Sequence, residues 1–116
     1  YPLRRQRQMC IRDSSVTLAV GDLDGAVHLL ATEPMLALLD CLAAHDGPVR
    51  RVRFEARHML LTCGEDGFVK RWNLPSRQGV SIGSHDNFAT DVLPTRSGGW
   101  ISCGYDGRIL VHGDKG

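Results

Sequence analysis

Apolar residues in this chain come in short runs separated by clusters of Gly, Asp, Asn, Ser and Pro. The runs are rich in Val, Leu and Ile, and several alternate with polar residues at a period of two. The pattern predicts strands at 16–21, 26–31, 36–42, 49–55, 59–64, 68–74, 79–84, 89–93, 100–104 and 108–112. Three joints, at Asp24-Gly25, Asp66-Gly67 and Asp106-Gly107, each join two apolar runs through Asp-Gly, a strong hairpin signal because glycine accepts positive φ without a Cβ clash. Only Leu36–Leu42 is ambiguous: its composition also suits a helical turn, and the register of its neighbours favours a strand.

The hairpins repeat. LAVGDLDGAVHLL (18–30), LLTCGEDGFVKRW (60–72) and WISCGYDGRILVH (100–112) align without gaps on Gly25, Gly67 and Gly107, 42 and then 40 residues apart. AHDGPV, beginning at Ala44, and SHDNFA, beginning at Ser84, set His45 and His85 the same 40 residues apart. A period of 40 to 45 residues, a His near the start and a Trp-Asp-like end resemble the WD-repeat β-propeller. The middle repeat carries most of the likeness: Val49, Val52 and Phe54 fit the inner strand, and Trp72-Asn73 stands where the family has Trp-Asp. The first repeat has Leu30-Ala31 and the third His112-Gly113 at that place, and the third has Pro94 where the middle one has Phe54. The expected fold is all-β: a partial propeller with one four-stranded antiparallel blade at 49–84, flanked by incomplete blades at 16–42 and 89–112. Because propellers close with 4–8 blades, the resemblance implies a fragment of a longer protein, with missing blades on both sides.

His45, Thr62, Asp66 and Trp72 combine imidazole, hydroxyl, carboxylate and indole, and the first three suggest a hydrolase triad. The family resemblance implies a structural network instead, with Asp holding His, His meeting the hydroxyl, and the indole N–H capping it. Recurrence in register favours the structural reading, since the third repeat carries His85, Ser102 and Asp106 at the same spacings. By this reading Ser102 has lost its indole donor, and the first repeat, with Val20 in place of a hydroxyl, keeps only Asp24. No catalytic set departing from the repeat register is evident, and neither a metal nor a cofactor is expected.

The resemblance also places the hairpin turns and the His-bearing loops on one face that receives peptides or partner domains. The matching residues are Leu23, Glu65 and Tyr105, each just before its turn Asp, with Asp46, Arg50, Asp86 and Thr90 from the loops. Tyr105 is the leading candidate anchor, and its alternative is an ordinary solvent-facing turn residue. The function implied is a non-catalytic protein–protein interaction scaffold, the rivals being a hydrolase-like propeller enzyme and a spacer in a larger assembly. Arg50, Arg51 and Arg53 suggest either a phosphate site or alternating charge on a solvated edge. Cys63 and Cys103 occupy equivalent slots, read as a redox pair or, more simply, as compact core hydrophobes. Cys41, on an outer strand, is the cysteine readiest to react.

Charge changes the picture at one end only. The chain is formally +1, yet residues 1–14 hold Arg4, Arg5, Arg7 and Arg12 against Asp13, leaving 10 basic and 12 acidic residues elsewhere. A basic arm would suggest nucleic acid. However, Arg4 to Ser14 reads as the translation of a transposase adapter used in sequencing libraries: Arg-Arg-Gln-Arg-Gln-Met-Cys-Ile-Arg-Asp, then Ser or Arg. Residues 1–14 are therefore expected to be a non-native, disordered tail, and 15–116 the propeller part. Without the tail, nucleic acid is an unlikely partner, and proteins or peptides are the expected ones. No apolar run is long enough for a transmembrane helix, no CxxC pair occurs, and the cytoplasm or nucleus is the expected setting.

Overall fold

The computed structural model describes residues 16–32, 35–56, 58–96 and 98–112. The adapter-like stretch 1–14, with Cys10, and Gly113 lie outside the described residues. Within them the structure is all-β: β1 (Leu18–Gly21), β2 (Ala26–Ala31), β3 (Ala37–Ala43), β4 (Val49–Ala56), β5 (Met59–Gly64), β6 (Phe68–Asn73), β7 (Gln78–Ser84), β8 (Ala89–Pro94), β9 (Trp100–Gly104) and β10 (Ile109–His112). They form three antiparallel sheets, in the orders β1-β2-β3, β4-β5-β6-β7 and β10-β9-β8. The ambiguous segment is strand β3, its residues paired along β2 from Ala26↔Ala43 to Ala31↔Ala37.

The middle sheet is buried on both faces, and the period-two alternation of β5 sorts its side chains between two cores. Leu60 joins Trp72, Val27, Leu29, Leu42, Ala44 and Leu74 against the first sheet. Leu61 and Cys63 join Val69, Ala89, Val92 and Trp100 against the third. Each fully buried Leu contributes about 1.5–3 kcal/mol. A slip of one residue in β5 would exchange the two sets, so both cores together hold the register.

Adjacent sheets are also tied at their turns. The Gly25 carbonyl accepts from the N–H groups of Ala44 and His45, and the Gly67 carbonyl accepts from His85 N–H at 2.7 Å. Gly25 and Gly67 sit at φ 94° and 86°. A Cβ would lie 1.9 Å from the His45 carbonyl oxygen at Gly25, and 2.6 Å from that of His85 at Gly67. Only glycine meets both demands, which explains why Asp-Gly recurs in both repeats.

The outward faces of the two flanking sheets are apolar and exposed, with Leu18 and Val20 on β1 and Ile109 and Val111 on β10. Phe54, placed by the pattern on an inner strand, is 39% exposed.

Candidate functional site

Two polar networks run from the turn face into the sheets. In the middle repeat, Asp66 caps its own hairpin by accepting from Phe68 N–H at 3.0 Å, and reaches the preceding loop by accepting from Asp46 N–H at 3.1 Å. Its Oδ1 lies 2.9 Å from His45 Nδ1. A carboxylate only accepts, so Nδ1 carries the proton and Nε2 offers its lone pair. Thr62 Oγ1 lies 2.9 Å from that Nε2 and accepts from Trp72 Nε1 at 3.1 Å. Donation therefore runs from indole to hydroxyl to imidazole to carboxylate, and every buried side-chain polar atom of these four residues is paired. The imidazole is seated by Gly64, where a Cβ would lie 2.8 Å from His45 Cγ.

Burial lowers the pKa of His45, with Asp66 opposing, so the neutral form is favoured. Burial also raises that of Asp66, but the Phe68 and Asp46 N–H groups and His45 outweigh it, and the net shift is downward. The pair is thus a neutral imidazole on an ionised carboxylate.

The third repeat repeats the geometry with one exchange. His85 Nδ1 lies 3.1 Å from both Asp106 oxygens, and its Nε2 is 2.9 Å from Ser102 Oγ. Asp106 accepts from the N–H groups of Asp86 and Arg108, each at 3.0 Å. Contrary to the expectation of a lost donor, His112 Nε2 lies 2.9 Å from Ser102 Oγ. His112 stands in the place of Trp72, diagonally across the β9–β10 pair, and donates as an Nε2–H imidazole. Burial lowers its pKa, and the nearby His85 adds to the shift. The first repeat departs more. Asp22, and not Asp24, caps its hairpin, accepting the N–H groups of Asp24 and Ala26 at 2.9 Å.

On the turn face the structure brings together Arg50, Glu65 and Tyr105 and adds Phe88, which the repeat alignment did not single out. Arg50 donates to Tyr105 Oη at 2.7 Å and pairs with Glu65 at 3.1 Å. Its guanidinium lies 5.3 Å from the Tyr105 ring centroid and 5.9 Å from that of Phe88. The two rings are 5.5 Å apart, tilted by 41°. Tyr105 is nonetheless 60% exposed. The cluster thus spans the seam between the middle and third sheets. The signal available for Phe88 was its position within the repeated SHDNFA loop.

The other candidates scatter. Leu23 is 80% exposed on the first turn. Asp46 and Asp86 are exposed beside their networks, and Asp86 lies 3.7 Å from Arg108. Thr90 faces inward, donating to the Cys103 carbonyl at 3.2 Å. Arg51 and Arg53 share the single carboxylate of Asp91 of β8, at 3.2 and 3.3 Å, which offsets part of their charge across the seam. Glu55 serves Arg71 at 2.7 Å. Cys63 is buried, its thiol pushed up to about 12 chiefly by burial, and Cys103 is half-buried. Among the described residues no group of three or more His, Cys, Asp or Glu is arranged to hold a metal, and no helix is long and apolar enough to cross a membrane.

Comparison with known proteins agrees with this architecture. The family model described as "WD domain, G-beta repeat" matches residues 37–73. The chain is 32% identical over 105 residues to the "Ribosome biogenesis protein WDR12 homolog" of Chlamydomonas reinhardtii, covering 78% of this chain and 23% of the relative. It is 30% identical over 93 residues to the "Mitotic checkpoint protein BUB3.3" of Arabidopsis thaliana, covering 79% of this chain and 26% of that one. The chain therefore spans only a minor part of the length of these curated relatives. Among solved structures, that of the computationally designed Ika8 protein superposes with a TM-score of 0.66 at 23% identity, over 84% of this chain and 32% of that one. The Asp-Gly hairpins in register, the His–hydroxyl–Asp networks and the Trp72 cap agree with these matches, and the chain carries a WD40 repeat at residues 37–73.

Proposed function

We propose that the chain is a non-catalytic protein-interaction scaffold whose turn face receives a protein or peptide partner. The observation that carries this is the Arg50–Glu65–Phe88–Tyr105 cluster. Aromatic and guanidinium groups are locked together at a seam between repeats, with a phenol ring left largely open to solvent. Rigid aromatic and Arg side chains suit interface anchors because little conformational entropy remains to be lost on binding. A non-catalytic role is supported by the triad-like sets, which are buried and recur in the middle and third repeats: Thr62 is 0% and Ser102 1% exposed. Neither side chain is open to solvent, as a nucleophilic hydroxyl would need to be to meet a substrate.

The two relatives are named for ribosome biogenesis and for the mitotic checkpoint. That supports an intracellular setting, cytoplasmic or nuclear. The exposed apolar faces of β1 and β10 support further repeats of the parent protein as neighbours.

The experiment is affinity capture on the natural full-length protein, identification of the partner, and titration of the purified pair against wild type and Tyr105→Ala. The expected result is weakening by about tenfold or more with thermal stability unchanged. Equal binding would leave this face a spacer and refute the reading.

A further inference from the structure

One cluster of chemistry-bearing side chains breaks the repeat register. His28 of β2 and Cys41 of β3 are directly opposed across the strand pair. Cys41 Sγ lies 3.6 Å from His28 Nδ1, and His28 Nε2 lies 2.8 Å from Asp22 Oδ2. The gap-free alignment sets Gly64 and Lys70 of the middle repeat, and Gly104 and Leu110 of the third, at the places of Asp22 and His28. In the middle sheet, Lys70 faces Ser81. The blade architecture does not require this trio, unlike the buried networks, because the other two sheets are built without it.

The order of protons follows from the geometry. Asp22 is fixed at Oδ1 by two backbone N–H groups and presents Oδ2 to the ring. Its carboxyl is held below the usual range, first by His28 and then by the Ala26 N–H, so it is an acceptor only. Neutral His28 therefore carries its proton on Nε2 and turns the Nδ1 lone pair toward the thiol. Nucleophile, base and orienting carboxylate stand in sequence. Cys41 is exposed, which the hydroxyls of the two buried networks are not.

We propose that Cys41 is a thiol-modification site, activated by His28 and oriented through Asp22, that takes up small disulfides of neutral or positive charge. His28 Nδ1 accepts the thiol proton as Sγ attacks one sulfur of the disulfide. The Cys41–sulfur bond forms, the original S–S bond breaks, and the departing thiolate leaves with the proton from His28. The products are a mixed disulfide on Cys41 and one free small thiol, so atoms and electrons balance without a further oxidant. Partial burial first, then the charges of Asp22 and Asp40, push the Cys41 thiol up. The resting form is therefore the thiol, and a base in contact is what makes it reactive. Asp40 is ion-paired with Arg77 at 2.9 Å, so the charge set against anionic disulfides is that of Asp22, whose partner His28 is neutral.

The test uses the full chain and two probes, neutral 4,4′-dithiodipyridine and the dianionic 5,5′-dithiobis(2-nitrobenzoate), with peptide mass mapping of the labelled cysteine. Cys41 is expected to react with the neutral probe about tenfold faster in the native chain than in urea, where the His28 contact is lost. It is expected to discriminate against the dianion when folded. His28→Gln should lower the native rate to that of the unfolded chain, and added imidazole should restore part of it. Equal rates in native and unfolded chains, or earlier labelling of Cys63 or Cys103, would overturn the proposal. The native-against-urea comparison needs no variant, so it stands even if His28→Gln fails to fold. The site is separate from the turn-face reading, which Tyr105→Ala tests on its own.

Discussion

Replacing Asp66 by Ala tests the logic of the middle network most directly. Asp66 accepts three donors: His45 Nδ1–H, Asp46 N–H and Phe68 N–H. Their fates differ. Asp46 and Phe68 are exposed, so their N–H groups regain water and add about 0.5 kcal/mol each. The His45 side chain is fully buried, so its Nδ1–H is left without an acceptor, at about 1–3 kcal/mol. The sum is about 2–4 kcal/mol, which for roughly 100 residues lowers Tm by about 10–25 °C. Asp66→Asn keeps an acceptor oxygen and is expected to cost about half as much. Urea unfolding of wild type, Asp66→Ala, His45→Ala and the double variant measures the coupling, expected at about 1–3 kcal/mol. If the two single effects add to within about 0.5 kcal/mol, the carboxylate and imidazole are not acting on each other and the reasoning fails.

His112→Phe removes the donor to Ser102 Oγ and should cost about 0.5–1.5 kcal/mol, read as a shifted urea midpoint; no shift would make the imidazole a bystander. Gly64→Ala drives a Cβ to 2.8 Å from a His45 ring pinned at both nitrogens. It should destabilise by about 1–3 kcal/mol, and a neutral result would show that the ring moves freely. The pH dependence has a definite sign. His45 and His112 have pKa values below the ordinary 6.5, so the unfolded chain binds more protons in the window beneath 6.5 and stability falls as pH drops into it. Asp66 and Asp106 lie below 3.8 when folded, and their contribution is lost only as pH falls through those depressed values. A urea midpoint that stays flat from pH 7.5 to 5.5 would contradict the histidine part. For residues 1–14, sequencing the source transcript across Ser15 should find the adapter codons missing; their persistence in a natural reading frame would restore the basic-arm reading.

Much of the fold was legible in the chain because its signals are local. Asp-Gly marks a hairpin wherever it falls between apolar runs, and the 40-residue spacing of His45 and His85 aligns loops that carry little other likeness. Strand limits agree with the pattern to within a residue or two, as at Ala26–Ala31 and Met59–Gly64. Spacing also singled out His45, Thr62, Asp66 and Trp72, and His85, Ser102 and Asp106, because each lies at a set offset within one hairpin and the loop before it, but it did not single out His112. Tertiary structure decided what those members touch. His112 reads in the chain as an absent Trp, yet the diagonal across β9 and β10 puts its ring on Ser102. Arg50 and Tyr105 are 55 residues apart and meet only because the middle and third sheets pack with their turns on one side. Asp22, His28 and Cys41 share no repeated spacing in the chain and meet only because β2 and β3 pair in register. Period and turn chemistry are written in neighbouring residues, whereas contacts across a seam depend on how far one sheet is rotated against the next, for which no short stretch of sequence carries a signal.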